Sequence, residues 1–402
     1  MSSHPASALP RADDPRPSRP TRFYFLLVCW GAAFREYVCR FMIPSLLASG
    51  NLPALRNPAE AKLLIVTTRR DWLAFNRDPA FRRLRELVPV EAIWDEDRTD
   101  FVHKYRRMSN AHAILAEICF RDRAFAINLN PDSIYPSGCV AEAQRLAIDE
   151  GHDVVLCAAI RFDQTGIEEE LERTGRARRG EPLELSMRDA VSLGLRHLHP
   201  ESRASDWDAA NFGRLHESHQ RAYFLTCCLW RVAGEDGAFV ITHNWSPFVV
   251  NYAVLARHDT SALDGRALDG AYIFENFARR TGAIHVVQDS DSLFLLGMTP
   301  RDEMAPPEQP AWFAGDGRLA EWTKGLVLSR TVNDPGIDEH RRKIYAEVVR
   351  WHAHDFNERW DGAEASVRRL IREYVAQNIE APGVDDKPAR RLWYRLCRNA
   401  LS

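Results

Sequence analysis

The sequence of 402 residues has few long apolar runs. The longest near its start, residues 23–31, is about half of the roughly 20 residues that a bilayer-spanning helix requires, so no transmembrane helix is expected. Charge of one sign is also scarce. The formal net charge is -3, with 27% charged and 45% hydrophobic residues, a soluble globular composition without the broad electrostatic footprint of a nucleic-acid binder. Eight cysteines, at positions 29, 39, 119, 139, 157, 227, 228 and 397, form no Cys-x-x-Cys pair and no dense framework, which implies reduced thiols and a cytoplasmic setting. Missing too are a Gly-x-Ser-x-Gly elbow, a Walker loop, a His-Glu-x-x-His pair, a Gly-x-Gly-x-x-Gly turn after a strand and any fixed-period repeat. Residues 1–21 are rich in Pro, Ser, Arg and Asp and lack the basic-apolar-small order of a secretory signal, so they read as a disordered tail.

Apolar segments that are present alternate in period. Residues 22–30, 62–68 and 90–94 read as buried strands, with helical spacing at 34–47 and 71–88 between them. Residues 101–120 form an amphipathic helix that runs into the short apolar strand 124–127, and a further strand covers 154–160. Such alternation predicts an α/β fold with a mostly parallel central sheet flanked by helices over residues 22–300. Residues 186–198 and 209–232 read as helices, 237–242 as a strand. After the Pro-rich stretch 300–312, residues 301–402 read as a helical C-terminal appendage. Its basic tail, 387–398, fits two descriptions: a peripheral contact with an anionic inner-membrane face, or a last helix packed on the body.

Candidate chemistry collects at strand ends, where loops present polar groups over a rigid base. Asp132 follows the strand 124–127 in Asn130-Pro131-Asp132-Ser133, and a turn or helix cap is the plain structural alternative. Lys104 and His112 recur on one face of the preceding helix and can look toward the same pocket, the plain structural alternative being Lys104 in solvent and His112 satisfied and half-buried. Arg161 ends the strand 154–160 and suits a phosphate or carboxylate clamp. His243 closes the strand 237–242, and Asp289 and Asp291 close the strand 283–287. His216, His219, Cys227 and Cys228 offer zinc-type donors, but adjacent cysteines on a helix point apart, which disfavours a shared ion.

Taken together, the first strand with the turn Gly50-Asn51-Leu52-Pro53, the block 104–137, and the pair formed by 243–247 and 289–291 resemble bacterial nucleotide-sugar-dependent glycosyltransferases with a single Rossmann-like sheet, the GT-A fold. The resemblance implies transfer of a sugar from a nucleotide-sugar donor to a hydroxyl on a glycan, lipid or protein acceptor, with Mn²⁺ or Mg²⁺ held against the donor diphosphate. Asp132 then matches the last acid of the family's Asp-x-Asp metal motif. Asn130 stands where its partner acid would be, and a single carboxylate makes a weaker site. Lys104, His112 and Arg161 would neutralise the leaving diphosphate, while Asp291, Asp289 or His243 would act as base. Of these, Asp291 is favoured, because two close carboxylates raise one pKa. Two other readings remain open: a sugar nucleotidyltransferase, although residues 29–34 hold one glycine where such enzymes carry a Gly-rich loop, and a catalytically silent binding or assembly module.

Overall fold

The computed structural model describes residues 21–95, 104–214, 225, 227–263, 268, 270–277, 284–311, 314–315, 317–332 and 339–376, except the side chains at 104, 270, 271, 330, 331 and 376. The leader, the basic tail, His216 and His219 lie outside these residues.

Thirteen strands are present among them: β1 (Phe23–Val28), β2 (Lys62–Thr67), β3 (Val90–Trp94), β4 (Phe125–Leu129), β5 (Ser133–Ile134), β6 (Val154–Ala158), β7 (Arg161–Asp163), β8 (Cys227–Arg231), β9 (Gly237–Thr242), β10 (Trp245–Asn251), β11 (Ile284–Val286), β12 (Leu296–Thr299) and β13 (Val349–His352). Seven of them form the central sheet in the order β11-β6-β10-β4-β1-β2-β3. It is mostly parallel, and only β10 runs against its neighbours.

β1 is an interior strand next to the central β4, paired in parallel with β2 and β4. All six of its side chains are buried, which is why it reads as an unbroken apolar run rather than an alternating one. β10 carries Pro247 inside a sheet, a residue unable to donate to the ladder, and the register with β6 shifts at that point. The single helix expected over 71–88 is two, Arg69–Phe75 and Pro79–Leu87. Thr68 caps the first, and Asp78 caps the second with Pro79 in its first turn. A further helix opens at Cys139, as Cys139–Gln144.

Two small sheets adjoin the central one, β5-β12-β7 and β13-β9-β8. Both correct the expectations for the second half. Residues 227–231, placed in a helix from their apolar spacing, pair antiparallel with β9, and Cys227 and Cys228 are buried strand residues. The C-terminal region is helical at Arg318–Val332, Glu339–Tyr345 and Glu358–Ile371, but β13 returns from it to pair with β9. A second apolar core, around Trp230, Phe239, Leu328 and Trp360, fixes these helices on that sheet.

Candidate active site

Strand order reverses at β1: the chain moves from β1 to β2 and β3 on one side, then returns to place β4 on the other. At such a switch point the loops leaving adjacent strands diverge and open a crevice beyond their carboxyl ends. On the β1 side, residues 31–34 are exposed. Gly31 adopts φ 89, a left-handed conformation natural to glycine, and its N–H donates to the Asp71 carboxylate at 2.9 Å. Asp71 also accepts from the Thr68 hydroxyl and pairs with Arg35. Burial works to raise the Asp71 pKa, but these donors outweigh it and hold the carboxyl below its ordinary range. Beside them the Arg107 guanidinium lies 4.6 Å from the Trp30 ring centre and pairs with Asp95, while Arg69 lies 4.9 Å from the ring of half-exposed Trp94. Aromatic faces backed by guanidinium groups suit a flat heterocycle.

The β4 side carries the loop 130–138, which is tightly fastened. The Asn130 N–H donates to the Tyr135 hydroxyl at 2.6 Å, and the Met298 N–H donates to the Asp132 carbonyl at 2.8 Å. The Asn51 side chain, fully buried, donates to the carbonyls of Ser45, Tyr135 and Pro136 at 2.8, 3.0 and 3.1 Å and accepts the Val140 N–H at 3.1 Å. Gly50 is needed there, since a Cβ would come within 2.5 Å of the Gly138 nitrogen. The helix Cys139–Gln144 takes Gly138, not Asp132, as its N-cap. Asp132 is partly accessible yet surrounded by protein, and burial pushes its carboxyl up to about 6, against the nearby Arg161 charge. Asp132 and Arg161 are thus brought together across the β4 and β6 ends, as the sequence suggested. Asn130 is exposed beside them. His112 lies on the helix Lys104–Asp122, which packs on β1, β2 and β4. Its Nδ1 is buried without a hydrogen-bond partner, and burial lowers its pKa to about 4. Lys104 opens the same helix, with its side chain outside the described residues.

Asp289 and Asp291 gather a partner the sequence reading missed. His352 Nε2 lies 2.9 Å from Asp289 and 3.8 Å from Asp291, and these three side chains form a group able to hold a metal ion. His352 Nδ1 faces the His354 carbonyl at 2.9 Å, so both ring nitrogens must donate and the imidazole is charged in this arrangement. Burial opposes that charge, but Asp289 and the carbonyl raise the His352 pKa above the ordinary value. The expected upward shift within the carboxylate pair does not occur at Asp289. Partial burial favours it, but the His352 hydrogen bond, the Asp291 N–H and Arg350 hold that carboxyl low. Asp291 is gripped by Arg188 through contacts of 2.9, 3.3 and 2.8 Å. The only early sign of His352 was the His-x-His spacing that begins at the last residue of β13, hidden by the helical reading of that region.

His243 stands apart from this cluster, in the turn between β9 and β10, with its ring centre 6.0 Å from that of Tyr345. Among the described residues neither His243 nor Asp132 belongs to a three-donor metal group. A pocket of about 440 Å³, lined in part by Ser137, Gly138, Glu142, Arg145, Asp291 and Ser292, connects the end of the Asp132 loop with Asp291.

No family model matches the chain, and no curated protein does. Among solved structures it is similar to S. aureus TarS 1-349, with 12% identity and a TM-score of 0.25 over 35% of this chain and 36% of that one. It is also similar to TarS 1-349 in complex with UDP (11% identity, TM-score 0.35, 81% of this chain and 70% of that one) and to mouse xyloside xylosyltransferase 1 in its apo form (15%, 0.21, 40% and 62%). These likenesses are low, and the site's chemistry rests on the chain's own residues.

Proposed function

We propose that the chain is a glycosyltransferase that moves a sugar from a nucleotide-sugar donor to a hydroxyl acceptor. The observation that carries this reading is the switch-point crevice, which sets an aromatic and guanidinium wall after β1 and β3 opposite Asp132 and Arg161 after β4 and β6. The base of the nucleotide stacks by Trp30 and Trp94, and its diphosphate lies toward Arg161. Transfer breaks the bond from the sugar's anomeric carbon to the diphosphate oxygen and forms a bond from that carbon to the acceptor oxygen. The negative charge that develops on the leaving diphosphate is met by Arg161, with Lys104 on the flanking helix, whereas the buried His112 is uncharged at neutral pH and supplies none. The acceptor proton passes to a carboxylate. Asp132, raised toward neutrality, is the stronger candidate, ahead of Asp289 and Asp291, whose charges are already matched by His352, Arg350 and Arg188.

A divalent cation would fit Asp289, Asp291 and His352, and this mixed oxygen and nitrogen set suits Mn²⁺ better than Mg²⁺. Bound there, it would supply positive charge beside the pocket that reaches Ser137 and Gly138. The test is to incubate the purified chain with a panel of nucleotide-sugars, with and without Mn²⁺, and measure free nucleoside diphosphate. Release that is lost in Asp132→Ala, with a thermal midpoint no lower than that of the wild type, supports the assignment. Failure to bind any nucleotide would leave the chain as an assembly module.

A further inference from the structure

The side chain of Arg161 is held from behind by one short turn. Glu201 Oε2 lies 3.0 Å from its Nη1, with the two side chains 9% and 35% exposed respectively. The next residue grips the backbone: the Ser202 hydroxyl donates to the Arg161 carbonyl at 2.7 Å and accepts the Arg161 N–H at 3.2 Å. The His199 N–H donates to that same carbonyl at 3.3 Å. His199 is fully buried and itself fixed, with Nδ1 accepting the Glu201 N–H at 3.2 Å and Nε2 donating to the Pro300 carbonyl at 3.0 Å. The turn Pro200–Arg203 is therefore rigid before it meets Arg161.

The exposures are unequal in an informative way. The carboxylate is covered and Arg161 Nη1 is buried against it, while the rest of the arginine side chain stays partly exposed, near enough to Asp132 for its charge to act on that carboxyl. We propose that Glu201 is a positioning residue. Its carboxylate, with Ser202 on the main chain, aims the open face of Arg161 at the diphosphate of a nucleotide ligand. This rests on the glycosyltransferase reading above. A flexible arginine would lose conformational freedom on meeting a diphosphate, and one already held in place loses less. Glu201 also sets the height of the charge, since it neutralises one edge of the fork and leaves the other for the ligand.

Calorimetric titration of the full chain with UDP and, separately, with uridine tests the idea. Glu201→Gln should weaken UDP binding about tenfold, the usual size of removing a residue that orients a ligand-binding group, and leave uridine binding unchanged. In an Arg161→Gln background the same change should have no further effect. Should Glu201→Gln fail to fold, Arg161→Lys keeps the charge but not the fork, and it should likewise weaken UDP and spare uridine. Wild-type affinity for UDP in Glu201→Gln, equal losses for UDP and uridine, or an independent loss in the Arg161→Gln background would each overturn the proposal while leaving the glycosyltransferase reading intact. A wild-type chain that binds no nucleoside diphosphate would remove both.

Discussion

The side-chain amide of Asn51 donates to the main-chain carbonyl of Tyr135 at 3.0 Å, and this contact fastens the turn before β2 to the loop after β4. Tyr135 in turn closes that loop through its hydroxyl on the Asn130 N–H. The chain thus holds the Asp132 loop in one conformation before any ligand arrives, as a site that must bind without reordering requires.

Replacing Asn51 by Ala would strip the Tyr135 carbonyl and the Val140 N–H of their side-chain partner in a dry interior, and would leave the Ser45 and Pro136 carbonyls with only the Ala48 and Cys139 N–H groups. The expected cost is about 3 kcal/mol, read as a lower urea midpoint at unchanged slope. Asn51→Asp should be worse, since an ionised carboxylate can donate to none of the three carbonyls it would face. A midpoint equal to wild type in either variant would show that the loop is held by other contacts.

Reading the sequence located β1, β2 and β4 because strands buried on both faces leave unbroken apolar runs. The meeting of Asp132 with Arg161 was legible for a similar reason: each lies just beyond a parallel strand, β4 or β6, and those ends share a rim. The His352 contact was not. It depends on β13 pairing with β9 and on a bridge between Asp289 and Arg350, contacts set by packing between segments 63 residues apart. Spacing within a segment carries no trace of such pairing. Cys227–Arg231 was misread for a related cause, since a run of four apolar and aromatic residues fits a buried strand or helix equally until β9 lies beside it.

Asp132 carries a pH signature of definite sign. Its carboxyl is raised to about 6 in the folded chain, so between its ordinary value near 4 and about 6 the folded state binds the proton more readily than the unfolded state. The group's contribution to stability therefore falls as pH rises through that window. Asp132→Asn should stabilise the chain at pH 7.5 by up to about 3 kcal/mol, and the gain should vanish near pH 4. Thermal midpoints across pH 4–8 check this. Activity in the wild type should rise with pH through about 6, as the carboxylate becomes able to take the acceptor proton.

His112 should act in the opposite direction. Burial lowers its pKa to about 4, so as pH falls from about 6.5 the unfolded state takes up a proton that the folded state refuses. Stability present above pH 6.5 is lost through that interval. His112→Gln removes the titration and should reduce acid sensitivity by up to about 3 kcal/mol between pH 7 and pH 4. Urea unfolding at the two pH values measures the difference, and an unchanged acid slope would mean that His112 is charged within the fold.

Arg188 decides how the acidic cluster behaves toward cations. It holds Asp291 through Nε and Nη2 and reaches Asp355 with Nη1 at 2.7 Å, while Arg350 lies 3.2 Å from Asp289, so the two carboxylates already have two matching arginine charges. A divalent cation entering beside His352 must displace one of these arginines and the imidazole proton. Arg350 also stacks on Phe356 at 5.1 Å, which leaves the half-exposed Arg188 as the one more easily displaced. Arg188→Ala should therefore bind Mn²⁺ more tightly than wild type, by about tenfold for roughly 1.4 kcal/mol of repulsion removed. The Mn²⁺-dependent rise in thermal midpoint should grow in that variant, reverse with a chelator, and disappear in Arg188→Ala/His352→Ala. If Arg188→Ala instead lowers the midpoint and Mn²⁺ restores none of it, the three side chains form an ionic brace between the β11 loop and β13, and the cation must be sought elsewhere on the rim.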